Sequence, residues 1–223
     1  MTKLGIEVFQ DLTIASDRLP LSAIRVSLLG VQGGTWSHGA EQEGTLRKYA
    51  VGTDREDVLV FIYEGEELPK AAITLWERNQ TYCATNIVPA ESGQLTVREY
   101  NTLLCDFIHS VVDRSDARDE LMLDLTDEVR GLNSWTSDQA AEALGRFSTL
   151  ANKSTTNSHP NDLQRWEEFV ILAHQSAENL PVDMLMQWLI EIDGWDERSA
   201  NKLAINYEQG ISLLATYDTA LGG

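Results

Sequence analysis

The sequence predicts an α+β fold, with an N-terminal antiparallel sheet carrying a helix and a mostly helical C-terminal half. Three observations predict it. The first 90 residues hold β-branched and aromatic runs divided by turn residues, and the remainder holds apolar residues at helical spacing behind capping signals. Apolar residues make up 43% of the chain and charged residues 23%, the balance of a protein with an ordinary core. Six Trp, six Tyr and five Phe set it apart from acidic disordered tails, which lack aromatic residues. At 223 residues the chain buries enough surface to fold without disulfides or metals. A sheet-containing domain is expected over residues 1–130 and a helical domain over 131–223.

In the first half, residues 5–9 read as a short strand, and residues 19–32 as a helix begun at Pro20. The glycines at 30, 33, 34, 39 and 44 mark a loop. They carry no Lys-Ser/Thr partner for a phosphate loop. Val58–Tyr63 is an unbroken apolar run, as expected of a strand buried on both faces. Residues 71–77 and 82–88 then form a hairpin that Pro89 ends, because proline cannot donate to a strand ladder.

In the second half, Thr96 and Glu99 have the spacing of a capping box, followed by a stripe of Tyr100, Leu103, Leu104, Phe107, Ile108 and Val111. Residues 121–125 return as a strand. Thr136 and Gln139 suggest a second capping box, and the polar segment 152–160 a linker. Three further helices follow: one around Trp166 and Phe169, one opened by Pro181, and one capped by Asp196 that Gly210 splits.

Charge is the strongest functional signal. There are 35 acidic residues against 17 basic ones, a net of −18. Residues 1–100 carry a net of −5 and residues 101–223 a net of −13. This excludes nucleic acid and anionic membrane as direct partners and suits a basic protein. The acids gather in clusters. Asp113, Asp116, Asp119, Glu120, Asp124, Asp127 and Glu128 form one; Glu191, Asp193, Asp196 and Glu197 form another. Two smaller groups, at 54–57 and 64–67, flank the run at 58–63. A solvated surface accounts for such clusters without function. The sharper expectation is a docking face that steers a basic partner, as in an inhibitor, immunity or antitoxin-type protein.

No cofactor or metal is expected: the four histidines lie far apart, and residues 193–197 lack the alternate oxygen ligands of a calcium loop. Cys105 and His109 stand one helical turn apart, so a thiol–imidazole pair is conceivable there. With Asp124 and His159 they are the candidates of an alternative reading, an enzyme whose site is assembled from scattered residues. A third reading is a subunit that self-associates through apolar residues within 163–217. Glu7 and Asp11 interrupt any signal-peptide core. The two cysteines suit a reducing compartment, so a cytoplasmic location is expected.

Overall fold

The computed structural model describes residues 5–31, 33–49, 57–153 and 159–221. In chain order the elements are β1 (Ile6–Glu7), β2 (Leu12–Ala15), α1 (Leu21–Gly30), β3 (Trp36–His38), α2 (Ala40–Tyr49), β4 (Val58–Tyr63), β5 (Ala71–Arg78), β6 (Thr81–Pro89), α3 (Val97–Phe107), β7 (Met122–Leu125), β8 (Val129–Arg130), α4 (Asp138–Leu150), α5 (Pro160–His174), α6 (Val182–Glu191) and α7 (Glu197–Leu221). The class is α+β. Two compact units are present, one over Glu7–Glu128 and one comprising Ile6 with the stretch from Val129 onward.

The first unit is built on a six-stranded antiparallel sheet in the order β3-β4-β5-β6-β2-β7. β4 is the apolar run, paired on both sides, with Val58 through Phe61 all buried. The β5–β6 hairpin turns on Asn79 and Gln80, both at positive φ (51° and 64°), the two-residue geometry that matches the twist of paired strands. Pro89 is the last residue of β6. α1 follows Pro20, as expected. α3 opens on the expected box: Glu99 N–H donates to Thr96 Oγ1 at 3.2 Å and Thr96 N–H to Glu99 Oε2 at 2.8 Å. Its stripe of Tyr100, Leu103, Leu104 and Phe107 is buried. The helix then widens by one residue per turn over Ile108–Val112, where Asp113 N–H reaches the Ile108 carbonyl at 2.8 Å.

Three elements differ from expectation. β2, four residues long, lies between β6 and β7. The glycine-rich segment read as loop contains β3 and α2. Gly39 joins these two, and a Cβ there would meet Val60 Cγ1 at 2.9 Å, so only glycine lets the corner lie against β4. α1 and α3 cover one sheet face, packing Ile24, Leu28, Leu103 and Phe107 on Leu12, Ile14, Phe61, Ile73 and Leu75. On the opposite face Thr13, Thr74, Trp76 and Cys83 are half-exposed, and Asn86 and Val88 are exposed.

In the second unit α4, α5, α6 and α7 enclose a core of Phe147, Trp166, Phe169, Leu185, Leu189, Trp195 and Tyr207. Ser137, one residue later than expected, caps α4, accepting from Ala140 N–H at 3.3 Å. Thr136 is turned inward to Ser176 Oγ at 3.0 Å. α7 runs unbroken through Gly210. A Cβ at that glycine would meet Val170 Cγ1 at 2.7 Å, so the residue serves close packing against α5 rather than a break. Residues 154–158 of the expected linker lie outside the described residues.

Candidate functional site

Strand register decides which backbone groups of the sheet are left open. Ala90 N–H bonds Lys70 C=O at 2.7 Å. With Ala71 opposite Pro89 and Ile73 opposite Ile87, the alternation of an antiparallel ladder turns Val88 and Asn86 toward β5 and Ile87 away from it. Likewise Thr126 N–H bonds Asp11 C=O at 3.0 Å, and Thr13 lies opposite Asp124. Met122 and Asp124 therefore face β2, and the N–H and C=O groups of Leu123 and Leu125 face outward. Among the described residues no strand pairs with that outer side of β7.

The first acidic cluster spans the chain segment that contains this strand, with Asp124 on β7 itself. Asp113, Asp116, Asp119, Glu120, Asp124, Asp127 and Glu128 are all exposed. One of the seven, Asp113, has a salt bridge among the described residues, from Arg118 Nε at 2.7 Å. On β7 itself Met122 and Leu125 expose large apolar side chains. Charges on an edge strand also deter strand-to-strand aggregation.

The second cluster belongs to the other unit and is used locally. Asp196 accepts from Ser199 N–H at 3.0 Å as the α7 cap, and hydrogen bonding by the Ser199 side chain, with that amide, holds its carboxyl below the usual range. Glu191 takes a hydrogen bond from Gln187 at 2.8 Å. Glu197 begins α7, exposed. Asp193 is drawn inward: burial pushes its carboxyl up, against the opposing pull of Ser148, Lys153 and Trp188, and its Oδ2 is buried without a partner. Asp54 and Glu56 of the group before β4 lie outside the described residues; Glu64, Glu66 and Glu67 after it are exposed.

A cleft of about 500 Å³ opens where β2 parts from β6. The strands pair from Ile14/Tyr82 to Leu12/Ala84. β6 then carries one extra residue, Thr85, between the β5 partners Thr74 and Leu75. Gln10 N–H turns instead to Asn101 Oδ1 on α3 at 2.9 Å. The walls are Phe9 and Asp11 on one side, Asn86–Pro89 on another, and Leu95 and Tyr100 on the third. Phe9 packs edge-on to Tyr100, with centroids 4.9 Å apart. Burial, aided by the charge of Asp11, pushes the Tyr100 hydroxyl up to about 12, so it stays protonated at neutral pH.

A polar knot pins α1, α2 and β4 together. Buried Glu43 accepts from Arg25 and from His38 Nε2 at 2.8 Å, and is ion-paired with Arg47 at 2.9 Å. Asp57 takes Arg25 at 3.0 Å, and Arg47 and the Tyr82 hydroxyl at 2.5 Å each. Burial alone would raise the Asp57 carboxyl; Tyr82 and the two arginines overcome it and hold the carboxyl low. The opposed charges are matched, which makes the knot a clamp rather than a reactive centre.

The Cys105–His109 turn is not built for nucleophilic chemistry. The imidazole is exposed and bonds the Cys105 carbonyl at 2.8 Å, while burial and Glu128 push the thiol up, away from thiolate. His159 caps α5, its Nδ1 accepting from Asn161 N–H at 3.3 Å. Asp124 sits on the β7 edge. Among the described residues no three His, Cys, Asp or Glu side chains gather as metal ligands, and no helix is long and apolar enough to cross a membrane.

Neither edge nor cleft was visible as a site beforehand. Leu123 and Leu125 lie open through register, and Phe9 and Tyr100 meet through tertiary packing, neither of which leaves a motif. Against known proteins, no protein-family model, no curated protein and no solved structure matches this chain.

Proposed function

We propose that this protein is an acidic interaction module that docks along β7 and occludes a basic surface of a partner protein, as an inhibitor, immunity or antitoxin-type protein does. The observation that carries this is the open side of β7. Outward backbone groups, exposed Met122 and Leu125, and carboxylates with little compensating charge occur there together. The strand edge supplies main-chain hydrogen bonds to an extended segment. The carboxylates speed encounter and reject acidic competitors more than they add affinity. Affinity capture at low salt, compared between the wild type and the Asp119→Asn/Glu120→Gln/Asp124→Asn/Asp127→Asn variant, tests it. Basic proteins retained by the wild type, released by salt and lost from the variant are expected. Capture that is identical for both forms, or confined to neutral and acidic proteins, would overturn it.

A second reading has its own observation. Leu213, Tyr217 and Leu221 recur every fourth residue along the end of α7 and are each more than half exposed, an apolar stripe that a second copy of the chain would cover. Native mass measurement separates the two: a dimer lost in Leu213→Lys/Tyr217→Lys supports self-association, and a monomer at micromolar concentration excludes it.

A further inference from the structure

We propose that the cleft between β2 and β6 binds a neutral, planar aromatic small molecule that lies against the Phe9 ring and accepts a hydrogen bond from the Tyr100 hydroxyl. Three features select this class of ligand, and none of them depends on the β7 reading.

The first is a donor without a partner. Tyr100 is 7% exposed, belongs to the buried stripe of α3 and lines the cleft. Among the described residues its hydroxyl makes no hydrogen bond within the chain. Nor is it one of the sealed polar atoms that lack a partner, which are Gln10 Oε1 and Asp193 Oδ2. The hydroxyl is therefore reached from the cleft. A hydroxyl held in so apolar a setting gains from a partner, and a carbonyl oxygen or ring nitrogen on a ligand supplies one. The second is apolar surface. Phe9 is 50% exposed and stands edge-on to Tyr100, so its ring can take a further aromatic group. Pro89 and Leu95 extend the apolar lining, and the volume of about 500 Å³ is that of a small-molecule site. Ile87 is 3% exposed, so the wall it forms offers no strand edge along which a peptide could extend. The third is charge. Among the described residues the lining holds no Lys, Arg or His, so an anion finds no counter-charge there, on a chain of net −18. Asp11, the one acidic lining residue, is already engaged within the chain, so the cleft does not select a cation. A neutral ligand fits.

The test titrates the full chain, isotopically labelled, by NMR with two probes. Coumarin is neutral, planar and carries a carbonyl acceptor; coumarin-3-carboxylate keeps the same rings and adds a negative charge. Saturable shifts of the Phe9 and Tyr100 rings and of the Gly93 and Leu95 amides are expected with coumarin, with a Kd of about 5 mM or tighter. The carboxylate should bind about tenfold more weakly, because its charge finds no counter-ion in the cleft. Tyr100→Phe, which removes the hydroxyl and keeps the ring, should weaken coumarin about fivefold, and Phe9→Ala about threefold. The comparison of the two probes on the wild type needs no variant, so it decides the matter even where a variant unfolds by circular dichroism. No saturable shift by about 10 mM coumarin, equal binding to a folded Tyr100→Phe, or a carboxylate that binds as tightly as coumarin would overturn the proposal. So would shifts confined to β7 or to the helical unit, which would place the ligand elsewhere.

Discussion

Glu43 carries more of the sheet unit than any motif near it suggests. It is 5% exposed, accepts hydrogen bonds from Arg25 and His38 and is ion-paired with Arg47. Removing one partner of a buried charge set leaves the others uncompensated, so Glu43→Ala should cost about 3 kcal/mol, measured by urea unfolding of the full chain. Asp57 and Asp193 make opposite predictions for pH. The folded Asp57 carboxyl is held below its unfolded value of about 3.9, so its contribution is present above that pH and is lost as pH falls through the folded value. The Asp193 carboxyl is raised by burial, so its contribution is present below about pH 3.9 and is lost as pH rises through the folded value. Asp193→Asn should therefore raise the melting temperature at pH 7 and lose that advantage near pH 3, read by differential scanning calorimetry. Asp193 was legible in the sequence only as one acid among four. It is drawn in beside Ser148, 45 residues earlier in the chain, as well as the nearby Trp188, and no local pattern announces the distant partner.

At the scale of elements, local chemistry was readable and insertion order was not. The Thr96/Glu99 box, the Asp196 cap, β4 and the β5–β6 hairpin stand where spacing and composition place them. β2 escaped because four residues flanked by Asp11 and Ser16 carry too little alternation to separate from loop, yet it joins β6 to β7 and opens the cleft. α2 escaped because Gly39 and Gly44 flank and interrupt it, and Gly39 is retained for the approach to Val60. Gly210 misled in the same way. A glycine inside a helical pattern signals a break only when nothing packs against it, and here Val170 does. Gly210→Val should cost about 1–3 kcal/mol through overpacking, with Gly44→Ala, which meets nothing within 4 Å, neutral or stabilising; thermal unfolding of the two variants checks both. Loss of the α3 box in Thr96→Ala should cost about 1 kcal/mol.

For the whole molecule, the net charge of −18 resolves into two uses. In the helical unit the acids at 191–197 cap a helix, bond a neighbouring side chain or turn inward. In the sheet unit those at 113–128 stay exposed, with Asp124 on the uncovered strand β7, where charge discourages self-pairing, and in the proposed function they steer a basic partner. Hydrogen–deuterium exchange across the sheet, on the full chain alone and bound to a basic protein captured by it, tests that assignment most directly. The Leu123 and Leu125 amides should exchange freely in the unbound chain and slow at least tenfold in the complex, with protection lost at high salt. A complex in which both amides exchange at their unbound rate would contradict it.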